Sequence, residues 1–396
     1  MGTSLRTGVA LAALTAACFV SVTSENLPAA LLPAFAAGFG VSGSAIGLLV
    51  TGYAIVVAVT VVPLVAGTAS WDRRSTVLVT VTTIAVSNLL LAGAPDYGVA
   101  VLARVVSAVG HGVFWSVVAP IAARLLGPAR AGRATAVVFA GNSLAFLFGL
   151  PLTAWLGATI GWRGTVLAVA VAAAASAVVI RATVDPLPPD RPRTGEHPMA
   201  RRAAIRQVVA DRSLAAVNVV TLAVVFGQFA VFTYITAIIA DYVHVTGPAT
   251  AGLLFGYGAA GLVGLVVLGR QVDGRPRATA LIATGGLAAT MLLLVTAGSI
   301  SSVLAAVGIV VWALPAGGIN VVLQAAVLRV ARQPDLASSV YIVAYQIGIA
   351  LGAAFGGLCL GHGILSVTVA VAGVCGLVAA VVVRRSIAFR GPVFVR

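Results

Sequence analysis

The sequence has no lysine and few acids. All 24 basic side chains are arginines, only 10 residues are aspartate or glutamate, and charged residues make up 9% of the 396 positions. A soluble domain carries about 25% charged residues, whereas 60% of this chain is hydrophobic. This shortage of charge excludes an ordinary soluble domain and indicates an integral membrane protein.

Cysteine is also scarce, and its spacing excludes two kinds of site. Cys18, Cys359 and Cys375 lie in apolar stretches without CxxC spacing, so we expect neither a disulfide nor a metal site. The sequence lacks the paired acids or clustered histidines of a membrane-embedded enzyme, and it lacks the extra soluble domain that a sensor usually carries. We therefore expect neither an enzyme nor a cofactor-dependent protein.

Apolar stretches of about 20 residues, the length that crosses a hydrocarbon core of roughly 30 Å, recur along the chain. Since the first is too long for the core of a signal peptide, we interpret it as a span. The twelve predicted spans are 7–35, 45–67, 75–94, 98–124, 134–158, 164–184, 213–240, 249–270, 277–297, 302–328, 336–360 and 365–385.

These spans predict an all-α integral membrane fold of about twelve transmembrane helices in two six-helix halves. The N-terminal half covers 1–184, and the C-terminal half with a short tail covers 213–396. The linker, 185–212, is first rich in proline and then basic and amphipathic, a composition suited to lying on the inner membrane surface.

The positions of the arginines predict the orientation. With both termini cytoplasmic, 22 of the 24 arginines fall on the cytoplasmic side, and only Arg104 and Arg163 lie elsewhere. This distribution satisfies the positive-inside rule. The excess of basic over acidic residues is therefore explained by the membrane topology, and it does not imply nucleic-acid binding.

An internal repeat supports the two halves. Gly-Leu-Leu-Val-Thr-Gly-Tyr at 47–53 matches Gly-Leu-Leu-Phe-Gly-Tyr at 252–257, and an acidic and basic loop follows each copy. Duplicated halves are typical of secondary transporters that hold substrate near the midplane. The acid in each loop can pair with arginine and with a helix N-terminus and so close an inner gate. Alternatively, the arginines of these loops only set the membrane topology, and the acid is incidental. The predicted gating residues are Asp72, Arg73, Arg74, Gly269, Asp273 and Arg275.

Three ionisable side chains lie deep in the predicted spans: Glu25, Arg104 and His111. Arg104, His111 and Trp115 share one helical stripe, and the helical rise places Glu25 between Arg104 and His111 in depth. Ionisable groups are costly at this depth and usually functional. We therefore expect Glu25 to carry a proton, Arg104 to modulate the pKa of Glu25, and His111 to relay protons or bind substrate. The alternatives are a structural Glu25–Arg104 ion pair, a core histidine beside Trp115, and a snorkelling Arg104.

The predicted substrate site is uncharged and mostly in the second half. Aromatic and amide side chains there are suited to a small neutral or amphipathic solute, although each could instead make a helix-packing hydrogen bond. The predicted substrate-binding residues are Trp115, Gln228, Phe232, Asn320, Gln324, Tyr341, Tyr345 and Gln346. In span five, Gly149 and Pro151 predict a hinge, and Gly348, Gly352 and Gly356 form a ladder that predicts close helix packing in span eleven.

Several motifs resemble the major facilitator superfamily. The loop Gly-x-x-x-Asp-x-x-x-Arg occurs at 269–277. Ser-Glu-Asn-Leu-Pro at 24–28 is similar to a stretch of bacterial sugar-efflux and chloramphenicol-resistance transporters, a drug/proton antiporter-like branch. Gly-His-Gly-Val-Phe-Trp-Ser at 110–116 resembles the sugar-efflux members in particular, and Gly149-x-Pro151 resembles the fifth-span antiporter motif.

The resemblance implies a major facilitator fold in a bacterial inner membrane. It also implies alternating-access export of a sugar such as arabinose or a drug such as chloramphenicol, driven by a proton gradient. The alternative function is that of a facilitator or a proton symporter with the same fold. We expect a monomer whose partners are protons, a small-molecule substrate and the lipid bilayer.

Overall fold

The computed structural model describes residues 3–68, 70–126, 131–188, 210–272, 274–296, 300–331 and 334–390. Twelve helices in these ranges are long and apolar enough to cross a membrane, which confirms the all-α membrane fold. The basic amphipathic stretch predicted within the linker lies outside the described residues.

The chain divides into two compact units. The first comprises Met1–Val41 and Gly52–Thr194, and the second comprises Ser42–Thr51 and Gly195–Arg396. The short segment Ser42–Thr51 therefore belongs to the second unit, although the predicted halves placed it in the first. The predicted half and linker boundaries themselves stay predictions.

The helices of the first six spans are α1 (Thr3–Glu25), α2 (Leu27–Ala30), α3 (Leu32–Phe39), α4 (Gly43–Gly67), α5 (Arg73–Ala92), α6 (Tyr97–Leu126), α7 (Ala131–Leu144), α8 (Leu150–Thr159) and α9 (Gly161–Thr183). Those of the last six are α10 (Arg212–Phe232), α11 (Ile235–Ile238), α12 (Pro248–Gln271), α13 (Pro276–Thr296), α14 (Ser302–Val330), α15 (Pro334–Gly361) and α16 (Leu365–Arg385).

The first span is interrupted at its acid, whereas the sequence predicted one run over 7–35. Helix α1 ends at Glu25, and the chain continues through the short helices α2 and α3. Pro28 has no N–H, so the carbonyl of Ser24, four residues earlier, loses its helical donor. Asn26 stabilises the break, because its Nδ2 donates to the carbonyl of Val22 at 2.8 Å.

The fifth span contains a π-helical turn, Ala145–Gly149, between α7 and α8. Such turns commonly interrupt α-helices at functional sites. Pro151 follows in the first turn of α8, and a side chain at Gly149 would overlap the Thr23 hydroxyl of α1. The irregular turn therefore ends at the predicted hinge residue Gly149, two positions before Pro151, and Gly149 packs closely on the first span.

In the second unit, glycines allow helices to approach closely. The ladder of Gly348, Gly352 and Gly356 on α15 faces α10, where an added Cβ would meet Val225, the Phe226 carbonyl and the Ala230 carbonyl. This is the close helix packing that the ladder predicts.

Tyr234 occupies a glycine-lined space in the same unit. It lies at the break between α10 and α11, is fully buried, and donates its hydroxyl to the carbonyl of Ala353 at 2.8 Å. Gly47, Gly356 and Gly357 surround its ring and hydroxyl so closely that a Cβ at any of them would overlap Tyr234. Gly47, which opens the sequence repeat, is therefore a contact position.

Candidate functional site

The three deep ionisable residues come together inside the first unit. His111 Nε2 lies 3.6 Å from Glu25 Oε2, and the guanidinium of Arg104 reaches the main chain of Glu25. Arg104 and His111 are 3% and 4% exposed, whereas the Glu25 side chain is 22% exposed. Of the three, the Glu25 carboxyl is the group most accessible from outside the protein.

Arg104 holds the broken end of α1. Its Nη1 donates to the carbonyl of Ser24 and its Nη2 to that of Glu25, both at 2.7 Å. The first bond replaces the donor that Pro28 removes, and a cation is favourable at a helix C-terminus. The guanidinium also lies 4.4 Å from the centre of the Tyr53 ring, within cation–π range. Arg104 thus contacts Glu25 through the main chain and is deeply buried, so it does not snorkel.

The contacts of His111 assign its tautomer. The Trp115 indole N–H can only donate, and it donates to His111 Nε2 at 2.9 Å. Nε2 is therefore unprotonated, and the ring proton lies on Nδ1, which is 3.1 Å from the Ser21 hydroxyl. The histidine is neutral in this arrangement, and its Nε2 lone pair lies between Trp115 and the carboxyl of Glu25.

Four further polar residues of this site were not singled out from the sequence as functional: Ser21, Ser24, Tyr53 and Asn88. Asn88 donates from Nδ2 to the Ser24 hydroxyl at 2.8 Å and is 1% exposed. Ser21 and Glu25 are four residues apart and share one face of α1. This spacing could have indicated that Ser21 lies at the same site as Glu25. We call the eight residues the polar cluster: Ser21, Ser24, Glu25, Tyr53, Asn88, Arg104, His111 and Trp115.

Trp115, a predicted substrate-binding residue, lies at one end of the polar cluster. It is half-buried, and its ring centre is 5.2 Å from that of Phe139, which is 37% exposed. Trp115 therefore contacts His111 on one side and an accessible aromatic ring on the other.

Three predicted substrate-binding residues, Phe232, Tyr341 and Tyr345, belong to an aromatic series in the second unit. Neighbouring ring centres along this series lie 5.1–6.4 Å apart. In order, its members are Trp312, Tyr257, Phe232, Phe229, Tyr345 and Tyr341. The sequence did not indicate that Phe229, Tyr257 and Trp312 complete the series.

The predicted amides of the second unit are dispersed. Gln228 lines a cavity of about 10 Å³ beside Trp312, a volume near the lower limit for one water molecule. Gln324 donates from Nε2 to the Ser338 hydroxyl at 3.0 Å, which joins α14 to α15. The side-chain oxygens of Asn320 and Gln346 are buried and accept no hydrogen bond within the described residues.

The first gating motif organises the start of α5. Asp72 caps this helix, because its Oδ1 accepts from the Ser75 main-chain N–H at 2.9 Å. Arg74 donates from Nη1 to the carbonyl of Val184 at 3.3 Å, and the main-chain N–H of Arg73 bonds to the segment after α9. Asp72 thus caps the helix that directly follows it, and a pairing across an inner gate stays a prediction.

In the second gating motif, Asp273 lies outside the described residues. Arg275 is exposed just before α13, and Gly269 lies near the end of α12. The nearby Arg329 donates from Nη2 to the carbonyl of Val272 at 3.1 Å. Within the described ranges, no group of three or more His, Cys, Asp and Glu side chains could hold a metal ion.

Comparison with known proteins identifies the family. The model of the Major Facilitator Superfamily matches residues 14–353. A chloramphenicol efflux pump of Mycobacterium tuberculosis (strain ATCC 25618 / H37Rv) is 39% identical over 379 residues, which cover 94% of this chain and 91% of the relative. A Helicobacter pylori (strain G27) protein named "Probable sugar efflux transporter" is 27% identical over 341 residues, which cover 86% and 85%.

The fold is also that of a solved transporter. The crystal structure of a D-xylose-proton symporter matches with a TM-score of 0.75 at 16% identity, and the match covers 95% of this chain and 96% of that chain. Similarity at this identity concerns the fold alone. The family match confirms both the resemblance read from the motifs and the expectation that the protein is not an enzyme: the chain belongs to the major facilitator superfamily and is a membrane transporter.

Proposed function

We propose that this transporter exports a small neutral or amphipathic solute in exchange for protons by alternating access. The observation that carries the proposal is the Glu25–His111 pair inside the first unit. Both side chains can exchange protons, and Glu25 Oε2 lies 3.6 Å from His111 Nε2. Intramembrane ionisable residues usually mark ion pathways or proton relays. Glu25 takes up and releases the coupling proton, and His111 relays it.

Chloramphenicol is the first cargo to test. The 39% relative is named a chloramphenicol efflux pump, whereas the relative named for sugar efflux is 27% identical. The aromatic series of the second unit, with Gln228 next to Phe229 in the sequence, provides flat apolar rings and a hydrogen-bonding group. This composition suits a nitroaromatic drug, and arabinose is the alternative cargo.

The remaining parts of the proposal concern placement and gating. The protein is a monomer in the bacterial inner membrane with cytoplasmic termini, and it uses the proton gradient without a cofactor. The loops around Asp72 and Asp273 close the inner side, and the turn before Pro151 bends during the transport cycle.

Expression in an efflux-deficient bacterial host tests the function. We expect the chain to lower chloramphenicol accumulation, and we expect a protonophore to abolish this effect. Arabinose and a cationic dye are measured in the same cells to separate the cargo classes. Accumulation equal to that of the empty-vector cells for all three compounds would contradict export, and lowered accumulation that persists with the protonophore would contradict proton coupling.

A further inference from the structure

Two groups, the Trp115 indole N–H and the Glu25 carboxyl, compete for a single atom of His111, Nε2. Nε2 accepts the Trp115 indole N–H at 2.9 Å and lies 3.6 Å from Glu25 Oε2. A lone pair that accepts the indole N–H cannot at the same time take a proton. The opposite ring atom, Nδ1, is held by the Ser21 hydroxyl at 3.1 Å. The Trp115 indole N–H therefore occupies the one ring nitrogen of His111 that could take up a proton.

We propose that Trp115 is a positioning residue that decides when His111 Nε2 can accept the proton of Glu25. While the indole N–H occupies Nε2, His111 stays neutral and the proton stays on the carboxyl of Glu25. When the indole turns away, the Glu25 O–H bond breaks and an N–H bond forms at Nε2. The products are a Glu25 carboxylate and an imidazolium that keeps its Nδ1–H on Ser21. This inference rests on the proposed proton-coupled transport.

The surroundings of Trp115 allow this movement and link it to cargo. The indole is half-buried and contacts Phe139, which is 37% exposed. An aromatic solute that stacks on these two rings would displace the indole from His111. Cargo contact and proton transfer would then be coupled through one hydrogen bond, which explains why a tryptophan rather than an aliphatic residue lies one turn after His111.

Few charged or titratable groups lie near His111 among the described residues. Glu25 on α1 is the acid, Tyr53 on α4 lies with its ring centre 5.4 Å from the imidazole, and Arg104 on α6 is the cation. Gly110, the neighbour of His111, packs against the uncharged Thr80 and Thr83 of α5. Of these groups, the Glu25 carboxyl is the proposed proton donor, because its Oε2 lies 3.6 Å from Nε2.

Nitrogen NMR of the histidines tests the arrangement without any transport. The chain has four histidines, so protein labelled with ¹⁵N-histidine in lipid nanodiscs gives few signals, and His111→Gln assigns the one of interest. We expect wild-type His111 to be the Nδ1–H tautomer. In Trp115→Phe we expect a mixture of tautomers and a proton affinity about threefold to tenfold higher, since a hydrogen bond to the neutral form is lost.

Trp155→Phe is the matched control, because Trp155 is 47% exposed and remote from His111 in the sequence. It should leave the tautomer and the titration unchanged. An Nε2–H tautomer in the wild-type protein would overturn the inference even if Trp115→Phe failed to fold. An unchanged His111 signal in folded Trp115→Phe would overturn it as well.

Transport in proteoliposomes provides the second readout, with chloramphenicol as the probe. We expect Trp115→Phe to pass protons in the absence of chloramphenicol at least several-fold faster than wild type, because the lone pair is no longer blocked. Wild-type proton flux that does not depend on chloramphenicol would contradict the proposed function rather than the tautomer assignment. A Trp115→Phe protein that keeps the wild-type ratio of cargo to protons would contradict the coupling role of Trp115.

Discussion

Replacement of Arg104 by lysine should weaken the first unit by about 2–4 kcal/mol. Arg104 donates to two carbonyls at 2.7 Å and lies over the Tyr53 ring while 3% exposed. A hydrogen bond from a charged donor contributes about 1.5–3 kcal/mol, and a desolvated cation–π contact contributes about 2 kcal/mol. Lysine keeps the charge, but its single ammonium cannot replace the guanidinium fork, so we expect the loss of one bond and part of the ring contact.

The assay is a denaturant titration of purified protein in detergent micelles, with Arg163→Lys as the control. Arg163 also donates to a carbonyl, that of Ala94 at 2.9 Å, and lies 4.1 Å from the Trp162 ring centre. Because Arg163 is exposed, its replacement should cost less than about 1 kcal/mol. Equal losses in the two variants would refute the argument that burial makes the Arg104 contacts strong.

A double-mutant cycle with Glu25→Gln separates the two possible roles of Arg104. Since Arg104 bonds to the main chain of Glu25, which Glu25→Gln retains, we expect an interaction energy at the low end for residues in contact, about 0.5 kcal/mol. An interaction energy of several kcal/mol would show that the Glu25 carboxylate is the principal partner and would restore the ion-pair interpretation.

Two further substitutions test the packing and the helix break. Gly47→Ala should destabilise the protein by more than about 1 kcal/mol, because the new Cβ overlaps the Tyr234 hydroxyl. Gly252→Ala, where the new Cβ meets nothing within 4 Å, should not destabilise the protein in the same unfolding assay. Pro28→Ala restores the N–H that the Ser24 carbonyl lacks, so we expect slower chloramphenicol transport by folded protein; an unchanged transport rate would contradict a role for the break.

The spans were predictable because their signal is additive over many residues. A run of about 20 apolar residues outweighs any single position, and each of the twelve runs overlaps a helix long and apolar enough to cross a membrane. The break after Glu25 was not predictable from Pro28 alone. Pro63 and Pro315 lie inside continuous helices, since membrane helices tolerate proline when other groups satisfy the freed carbonyls. At Pro28, the donor is Arg104, which is 76 positions away in the sequence.

The candidate site was predictable as a location but not as a set of bonds. Depth along the helices placed Glu25 between Arg104 and His111, and in the structure Glu25 contacts both residues. That Arg104 would bond to carbonyls, and that Trp115 rather than Glu25 would bond to Nε2, depends on side-chain directions of a few ångströms. Helical periodicity assigns a residue to a face, and it does not determine which of two neighbours an N–H reaches.

The most direct test of proton coupling is transport by Glu25→Gln protein in proteoliposomes. The cargo is chloramphenicol and the driving force is an imposed pH gradient. Asp96→Asn is the control, since Asp96 caps α6 from an exposed loop and its removal also deletes one carboxyl group. We predict that Glu25→Gln loses gradient-driven uptake but still binds or exchanges chloramphenicol, whereas Asp96→Asn transports normally. Full gradient-driven transport by Glu25→Gln would contradict the role of Glu25 as the proton carrier.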